Sequence, residues 1–300
     1  MLKKICEKHY VLPQSLLLPP KSVRTDRGRP EAIGGFAPVY KGAYGTCSVA
    51  LKVFRVRDDD NVPEGVHRSF YTEAILWKHL RHTNITPFHG VDNSLFSMAL
   101  VSEWQPFGTV IDYLTTHPSA DRLRLMIDVA EGLDYLHGSH IVHGDLKGNN
   151  ILVNIRHGAV LADFGLAGLD PEFVHPTRSV TEGSIPWMAP EIIDPENVEL
   201  HSAWYTTQSD VYSFSLTMWE MFTCQVPFYG TNNIHKLTCL IVDGARPQRP
   251  LQAKAAGLSD DMWNLIEMCW QKDRTKRPNI PYVLEALKQA HGDFASTNLI

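Results

Sequence analysis

Residues 151–162 limit what this chain can fold into more than any other stretch. ILVNI, the turn-former RHG and AVLA read as a β-hairpin, and short polar side chains crowd its mouth. The first strand comes directly after VHGDLKGNN, which sets a histidine, an aspartate, a lysine and two asparagines against what reads as a buried element. A hairpin's open end brings together the residue before its first strand and the residue after its second. Those residues are Asn150 and Asp163, and Asp145 is carried on the same loop. Asp and Asn most often serve only in turns and caps. Two carboxylates and a carboxamide converging at one spot are, however, the hard oxygen donors that magnesium takes, with phosphates supplying further oxygens.

Two more charged residues stand where apolar ones are expected. In EGVHRSFYTEAILWKHL the apolar residues Val66, Phe70, Trp77 and Leu80 recur at helical spacing, and Glu73 lies in the same stripe. A carboxylate on an apolar face needs a partner or costs several kcal/mol. In VALKVF side chains alternate between faces, so Lys52 points away from Leu51 and Val53 and shares a face with Ala50 and Phe54. An inward lysine and an inward glutamate from adjacent elements satisfy each other, as a structural ion pair or as part of a site.

From about residue 30 to 104 the pattern is strands with one helix: GGFAPVYKG, CSVALKVFRV and SMALVSEW are strand-like. From residue 110 helical patterns dominate, as in DRLRLMIDVAEGLDYLHGSH and SDVYSFSLTMWEMFT, and Pro106, Phe107 and Gly108 mark the changeover. A β-rich first part joined to a helical second part suggests two lobes with a cleft between them. With 300 residues, 44% hydrophobic, the chain can bury a sizeable core. Its 28 basic and 33 acidic residues argue against a nucleic-acid partner, which calls for a concentrated basic patch. The five cysteines are odd in number, widely spaced and without a C-x-x-C pair, which fits a reducing cytoplasmic setting better than a disulfide framework or a zinc site. No apolar run approaches the ~18 residues of a membrane span. LPPKS and the VRTDRGRP after it read as a linker into the folded part.

VALK, HGDLKGNN, DFG and APE stand in order at Lys52, Asp145, Asp163 and Glu191. Together they resemble the eukaryotic protein kinases, and GSIPWMAPE resembles the tyrosine-kinase-like group within them. The resemblance covers about residues 28–291. It implies an α+β, bilobal fold, with a β-rich N-lobe of about 28–104 and a mainly helical C-lobe of about 109–291. Residues 1–27 would then be an N-terminal extension and 292–300 a short tail. It further implies ATP and Mg2+ as cofactors, a protein serine or threonine as substrate, and no nucleic-acid or membrane partner. Lys52 would hold the α/β-phosphates and pair with Glu73; Asp145 would accept the substrate proton; Asn150 and Asp163 would bind magnesium. Lys147 would sit near the transferred phosphoryl group, and a lysine there resembles serine/threonine kinases more than tyrosine kinases. Ser102 would be the gatekeeper, Glu103 to Gln105 the hinge that pairs with adenine, and Val39, Ala50 and Leu152 would sandwich the ring. Glu191 would pair with Arg277, and Asp210 would brace the loop carrying Asp145.

Two departures stand out. At the three positions of the phosphate-covering glycines the chain has Ala32, Gly34 and Ala37, then Pro38, with Phe36 at the loop tip, so Gly34 is the one match. Gly144 replaces the arginine that pairs with an activation-segment phosphate, which implies an enzyme that does not need phosphorylation at Thr177, Ser179 or Thr181. The same departures frame the alternative of a pseudokinase scaffold that binds nucleotide or partners without catalysis. A small-molecule phosphotransferase is the third reading, disfavoured by WMAPE, Asp210 and Arg277. The run IIDPENVELHSAWYTTQ reads as a surface loop.

Overall fold

A computed structural model describes residues 12–25, 28–33, 37–54, 64–163, 182–196 and 205–297. The chain forms two compact units, the first reaching Gln105 and the second starting at Pro106.

The first unit is an antiparallel sheet with one helix among its described residues. Its strands are β1 (Val23–Arg24), β2 (Ala32–Ile33), β3 (Pro38–Tyr44), β4 (Cys47–Val53), β5 (Phe88–Asp92) and β6 (Ala99–Glu103), and its helix is α1 (Glu64–His79). The order is β1-β3-β4-β6-β5, with β2 pairing the other end of β3, so two short strands share one edge. Alternation sorts β4 cleanly. Val49 and Leu51 are fully buried and pack with Leu18, Val23 and Val101, while Ala50 and Lys52 face the opposite side.

The segment expected as a linker is part of this unit. Leu17 bridges Val91, Leu18 donates its N–H to Val91 O at 2.9 Å, and Leu16, Leu18 and Val23 are buried. Leu12 and Leu16 cover Ile75 and Phe88, so α1 is buried from Phe70 through Trp77 and not on a single stripe. Gly90 makes this possible. Its φ is +154°, and a Cβ there would lie 2.8 Å from both Leu16 O and Leu18 Cδ2.

The second unit holds α2 (Val110–Thr116), α3 (Arg122–Gly138), β7 (Ile151–Val153), β8 (Ala159–Leu161), α4 (Pro190–Ile193), α5 (Thr207–Thr223), α6 (Ile234–Asp243), α7 (Asp260–Cys269) and α8 (Ile280–Thr297). Helix α5 is apolar on nearly every side and almost wholly buried, which makes it the core element. A Thr206–Ser209 capping box starts it, and Cys224 in the left-handed region ends it. Helix α8 runs past the boundary expected at 291, because Phe294 is half-buried and His291 pairs with Asp121 at 2.7 Å. Of the run 192–208, read above as a surface loop, Ile192 and Tyr205 are buried at its ends and residues 197–204 lie outside the described residues.

Candidate active site

The first unit brings several of the predicted residues onto one face of its sheet. The register pairs Val39 with Lys52 and Ala50 with Ser102, and directly opposed residues share a face. Lys52 Nζ lies 2.8 and 3.0 Å from the two carboxylate oxygens of Glu73, which is 1% exposed, and 5.5 Å over the Phe54 ring. The buried carboxylate on α1 therefore has its cation, and the lysine is held in one direction by two contacts. At the end of β6, Glu103 donates its N–H to Pro87 O and Trp104 donates to Ser48 O, which fixes the path into Gln105. Gln105 is buried, and its Oε1 has no partner among the described residues. Gly34 and Phe36 lie outside the described residues; Ala32 and Val39 pair on either side of them.

In the second unit, β7 and β8 pair as a hairpin with Ile151 opposite Leu161. The first strand stops at Val153 instead of running to residue 155. Asn154 Oδ1 accepts the N–H groups of Arg156 and Gly158, and this side-chain turn competes with the ladder. Leu152 lies in β7, paired with Val160 and bridged to Thr109. At the mouth, Ala162 donates its N–H to Asn150 O at 2.9 Å, so Asn150 sits beside the residue that precedes Asp163. Asp163 is held at φ +61°, an uncommon backbone state for a non-glycine residue.

The loop before β7 is tied down at several of its residues. Asp210, buried at the start of α5, accepts His143 N–H at 2.8 Å on Oδ2, Gly144 N–H at 2.9 Å on Oδ1 and His137 Nε2–H at 2.9 Å. Gly144 itself has φ +81°. Glycine takes that conformation freely, whereas another residue there costs about 1–2 kcal/mol, so its place between histidine and aspartate has a backbone reason. Asp145 N–H donates to His143 Nδ1, and His143 Nε2–H donates to Ala162 O at 3.2 Å, joining the loop to the approach to Asp163.

Two donors then converge on one oxygen of Asp145: Lys147 Nζ at 2.8 Å and Asn150 Nδ2 at 2.9 Å, both on Oδ2. Asn150 Nδ2 also bonds Asp145 O at 2.7 Å, which uses the amide nitrogen and leaves Asn150 Oδ1 as a free acceptor. Lys147 continues to Ser184 Oγ at 2.6 Å. No group of three or more His, Cys, Asp or Glu among the described residues forms a metal site by itself. Magnesium held by one carboxylate and one carboxamide, with phosphates and water completing the shell, needs no such group, so Asn150 and Asp163 suit the ion in chemistry.

Glu191 and Arg277 form a buried two-pronged pair, with Nη1–Oε1 2.6 Å and Nη2–Oε2 2.8 Å. Sequence reasoning missed three residues: Ser184, Trp187 and Glu220. Glu220 is buried in α5 and accepts Gly148 N–H and Trp187 Nε1–H, each at 2.8 Å. Burial pushes its carboxyl up to about 7, against the pull of those two donors and Lys147. Its signal was available: a lone carboxylate in SFSLTMWEMFT is the same anomaly that marked Glu73.

A family model described as protein tyrosine and serine/threonine kinase matches residues 31–287. Serine/threonine-protein kinase STY17 of Arabidopsis thaliana is 28% identical over 262 residues, covering 86% of this chain and 43% of that protein. Serine/threonine/tyrosine-protein kinase HT1 of the same plant is 28% identical over 268 residues, covering 87% of this chain and 65% of its own length. The probable serine/threonine-protein kinase drkB of Dictyostelium discoideum is 30% identical over 263 residues, covering 85% of this chain and 35% of that protein. The chain thus spans under half the length of STY17 and drkB.

Proposed function

This chain belongs to the protein tyrosine and serine/threonine kinase family, and from that premise we propose that it moves the γ-phosphate of Mg-ATP onto serine and threonine hydroxyls of protein substrates. The observation that carries the reading is how Asp145 is loaded. Lys147 and Asn150 both bond Oδ2, which leaves Oδ1 to take the proton of a substrate hydroxyl. Lys52, steadied by Glu73, holds the α/β-phosphates. Lys147, anchored to Asp145 and Ser184, offsets charge on the transferred group. Magnesium, bound through Asn150 and Asp163, would neutralise charge on the phosphate oxygens. The face bearing Val39, Ala50 and Ser102 receives the adenine, with Glu103 and Gln105 as further contacts. The serine/threonine preference draws support from Lys147 and from the printed names of the relatives.

Gly144 supports a second element of the proposal, activity without activation-segment phosphorylation. A glycine held at φ +81° by Asp210 offers no guanidinium to a phosphate. Alanine at Thr177, Ser179 and Thr181 together, positions outside the described residues, leaves activity within about twofold; a loss of tenfold or more refutes this element. A cytoplasmic setting accords with the free cysteines Cys47, Cys224, Cys239 and Cys269. No helix among the described residues is long and apolar enough to cross a membrane.

The decisive experiment is transfer of labelled γ-phosphate from Mg-ATP to a generic protein, with phosphoamino-acid analysis of the product. Transfer to serine or threonine that Asp145→Ala and Asp163→Asn both abolish is the expected result. A folded wild type that transfers nothing, yet is stabilised by ATP, supports the scaffold reading instead.

A further inference from the structure

We propose that residues 12–24 are a positioning element for phosphoryl transfer. They strap the outer side of the first unit's sheet, and Leu16 wedges α1 so that Glu73 meets Lys52. The inference rests on the catalytic reading above.

The strap touches both edges of the sheet. At one edge Leu17 bridges Val91 of β5 in parallel, and Leu18 donates its N–H to Val91 O at 2.9 Å. At the other, Val23 and Arg24 pair with Tyr44 and Ala43 of β3. Between them Lys21 donates its N–H to Ser94 Oγ at 3.0 Å, and Ser94 is itself held by Asp92, which is buried. A glycine stands at each edge where a strap carbonyl comes closest. A Cβ at Gly42 would fall 2.5 Å from Arg24 O, and one at Gly90 2.8 Å from Leu16 O.

Spacing turns these contacts into a constraint. Leu17 and Val23 are six residues apart, a reach of at most about 20–22 Å. The turn in which Ser22 donates its N–H to Pro19 O shortens that reach further. Laid flat, β3, β4, β6 and β5 with a strap residue beside each edge need five strand spacings, about 24 Å. The strap is too short for a flat sheet and holds this one curled, with Leu18 and Val23 buried against Val49, Leu51 and Val101.

The strap reaches the site through α1. Leu16 packs against Ile75, and Leu12 and Phe88 pack against that pair. Phe88 stacks on Trp77 with 5.2 Å between ring centres, and Trp77 Nε1–H donates to Thr86 O at 2.7 Å. Ile75 and Trp77 follow Glu73 on the same helix, so a shift of Ile75 carries the carboxylate with it. Glu73 meets Lys52 Nζ at 2.8 and 3.0 Å, and a displacement of about 1 Å takes both contacts out of hydrogen-bond range. Close packing at Leu16 resists that displacement, because the helix can move only by opening a void or forcing an overlap.

The test compares wild type with Leu16→Ala, Leu16→Met and Gly90→Ala on the full chain, at a temperature where each is folded. Leu16→Ala removes the wedge and lowers kcat about tenfold or more. Leu16→Met refills the volume and restores kcat to within about threefold of wild type. Gly90→Ala drives a methyl against Leu16 O from the β5 side. It lowers kcat by a smaller factor, which keeps the test open if Leu16→Ala folds poorly. A loss of stability alone leaves the kcat of the folded protein unchanged. Amide exchange over residues 70–77 is read alongside, because it reports the hold on α1 without catalysis. Faster exchange there in Leu16→Ala, with exchange over residues 207–223 unchanged, supports the strap even if the wild type proves inactive, the outcome that sinks the catalytic reading alone. Wild-type kcat in folded Leu16→Ala, or unchanged exchange over residues 70–77, overturns the proposal.

Discussion

Replacing Arg277 by alanine removes the most heavily committed cation in the second unit. Its guanidinium meets both oxygens of Glu191, and it also donates to the carbonyls of Gln208, Gln271 and Lys272 while lying 5.0 Å over the Tyr212 ring. The two side chains are 0% and 2% exposed, so solvent cannot replace what is lost. Breaking a buried pair of this kind by deleting one partner costs about 3–5 kcal/mol, because the surviving charge stays buried. Against a typical stability of about 5–15 kcal/mol that is a large share. At roughly 2–4 °C per kcal/mol for a unit of this size, Tm falls by about 6–20 °C in a calorimetric or fluorescence melt. Arg277→Lys recovers less than half of the loss, since an ammonium cannot reach two carboxylate oxygens and three carbonyls from one place. Arg277→Met with Glu191→Leu recovers most of it, because no charge is left stranded. An Arg277→Ala protein that melts within about 2 °C of wild type refutes the reasoning. So does a double variant as unstable as the single one.

Gly90→Ala drives a methyl into Leu16 O and Leu18 Cδ2 from a backbone at φ +154°; a loss of about 1–3 kcal/mol is expected, with faster proteolysis within residues 12–24 as the readout. Gly144→Ala pushes a side chain into φ +81° and lowers stability by about 1–2 kcal/mol in a denaturant titration, whereas a neutral effect means the backbone there is not constrained. For Glu220 the folded carboxyl titrates near 7 and the free one near 4.5. Its favourable contribution is full below about pH 4.5 and is lost as pH rises through about 7. That amounts to up to about 3 kcal/mol at 1.4 per pH unit. Glu220→Gln does not lose it, so the stability difference between variant and wild type moves in the variant's favour between pH 5 and 8, as measured by melts at both values.

The parts of the site that sequence reasoning reached are those where a charge breaks an apolar pattern or a strand period assigns a face. Lys52 is placed by alternation in VALKVF, Glu73 by a helical stripe, and Asn150 and Asp163 by the ends of a hairpin. What it did not reach depends on partners far along the chain. The run PQSLLLPPKSV looks like a linker because its prolines break every regular element, yet Leu16 packs against Ile75 and Leu18 joins Val49, Leu51 and Val101, contacts with no period to detect. The positive φ of Gly144 comes from Asp210, sixty-six residues away, drawing two successive N–H groups to one carboxylate. Strand β7 ends early because Asn154 finds its own backbone, a local competition that a count of β-formers does not register.

Four buried carboxylates, Glu73, Glu191, Asp210 and Glu220, recur as fasteners, and their chemistry explains the choice. The segments they hold are polar chain: a lysine amine, a guanidinium, and the N–H groups of His143, Gly144 and Gly148. Apolar packing is non-directional and cannot fix where an N–H or an ammonium points. A charge-assisted hydrogen bond can, and a buried carboxylate left without its donors is penalised by several kcal/mol. Each fastener is therefore satisfied only when its segment is in place, so burying the acid in the core and ordering the polar loop become one event. On α5 this happens at both ends of the same loop, and for that reason a helix buried along most of its length carries two carboxylates that its own burial disfavours.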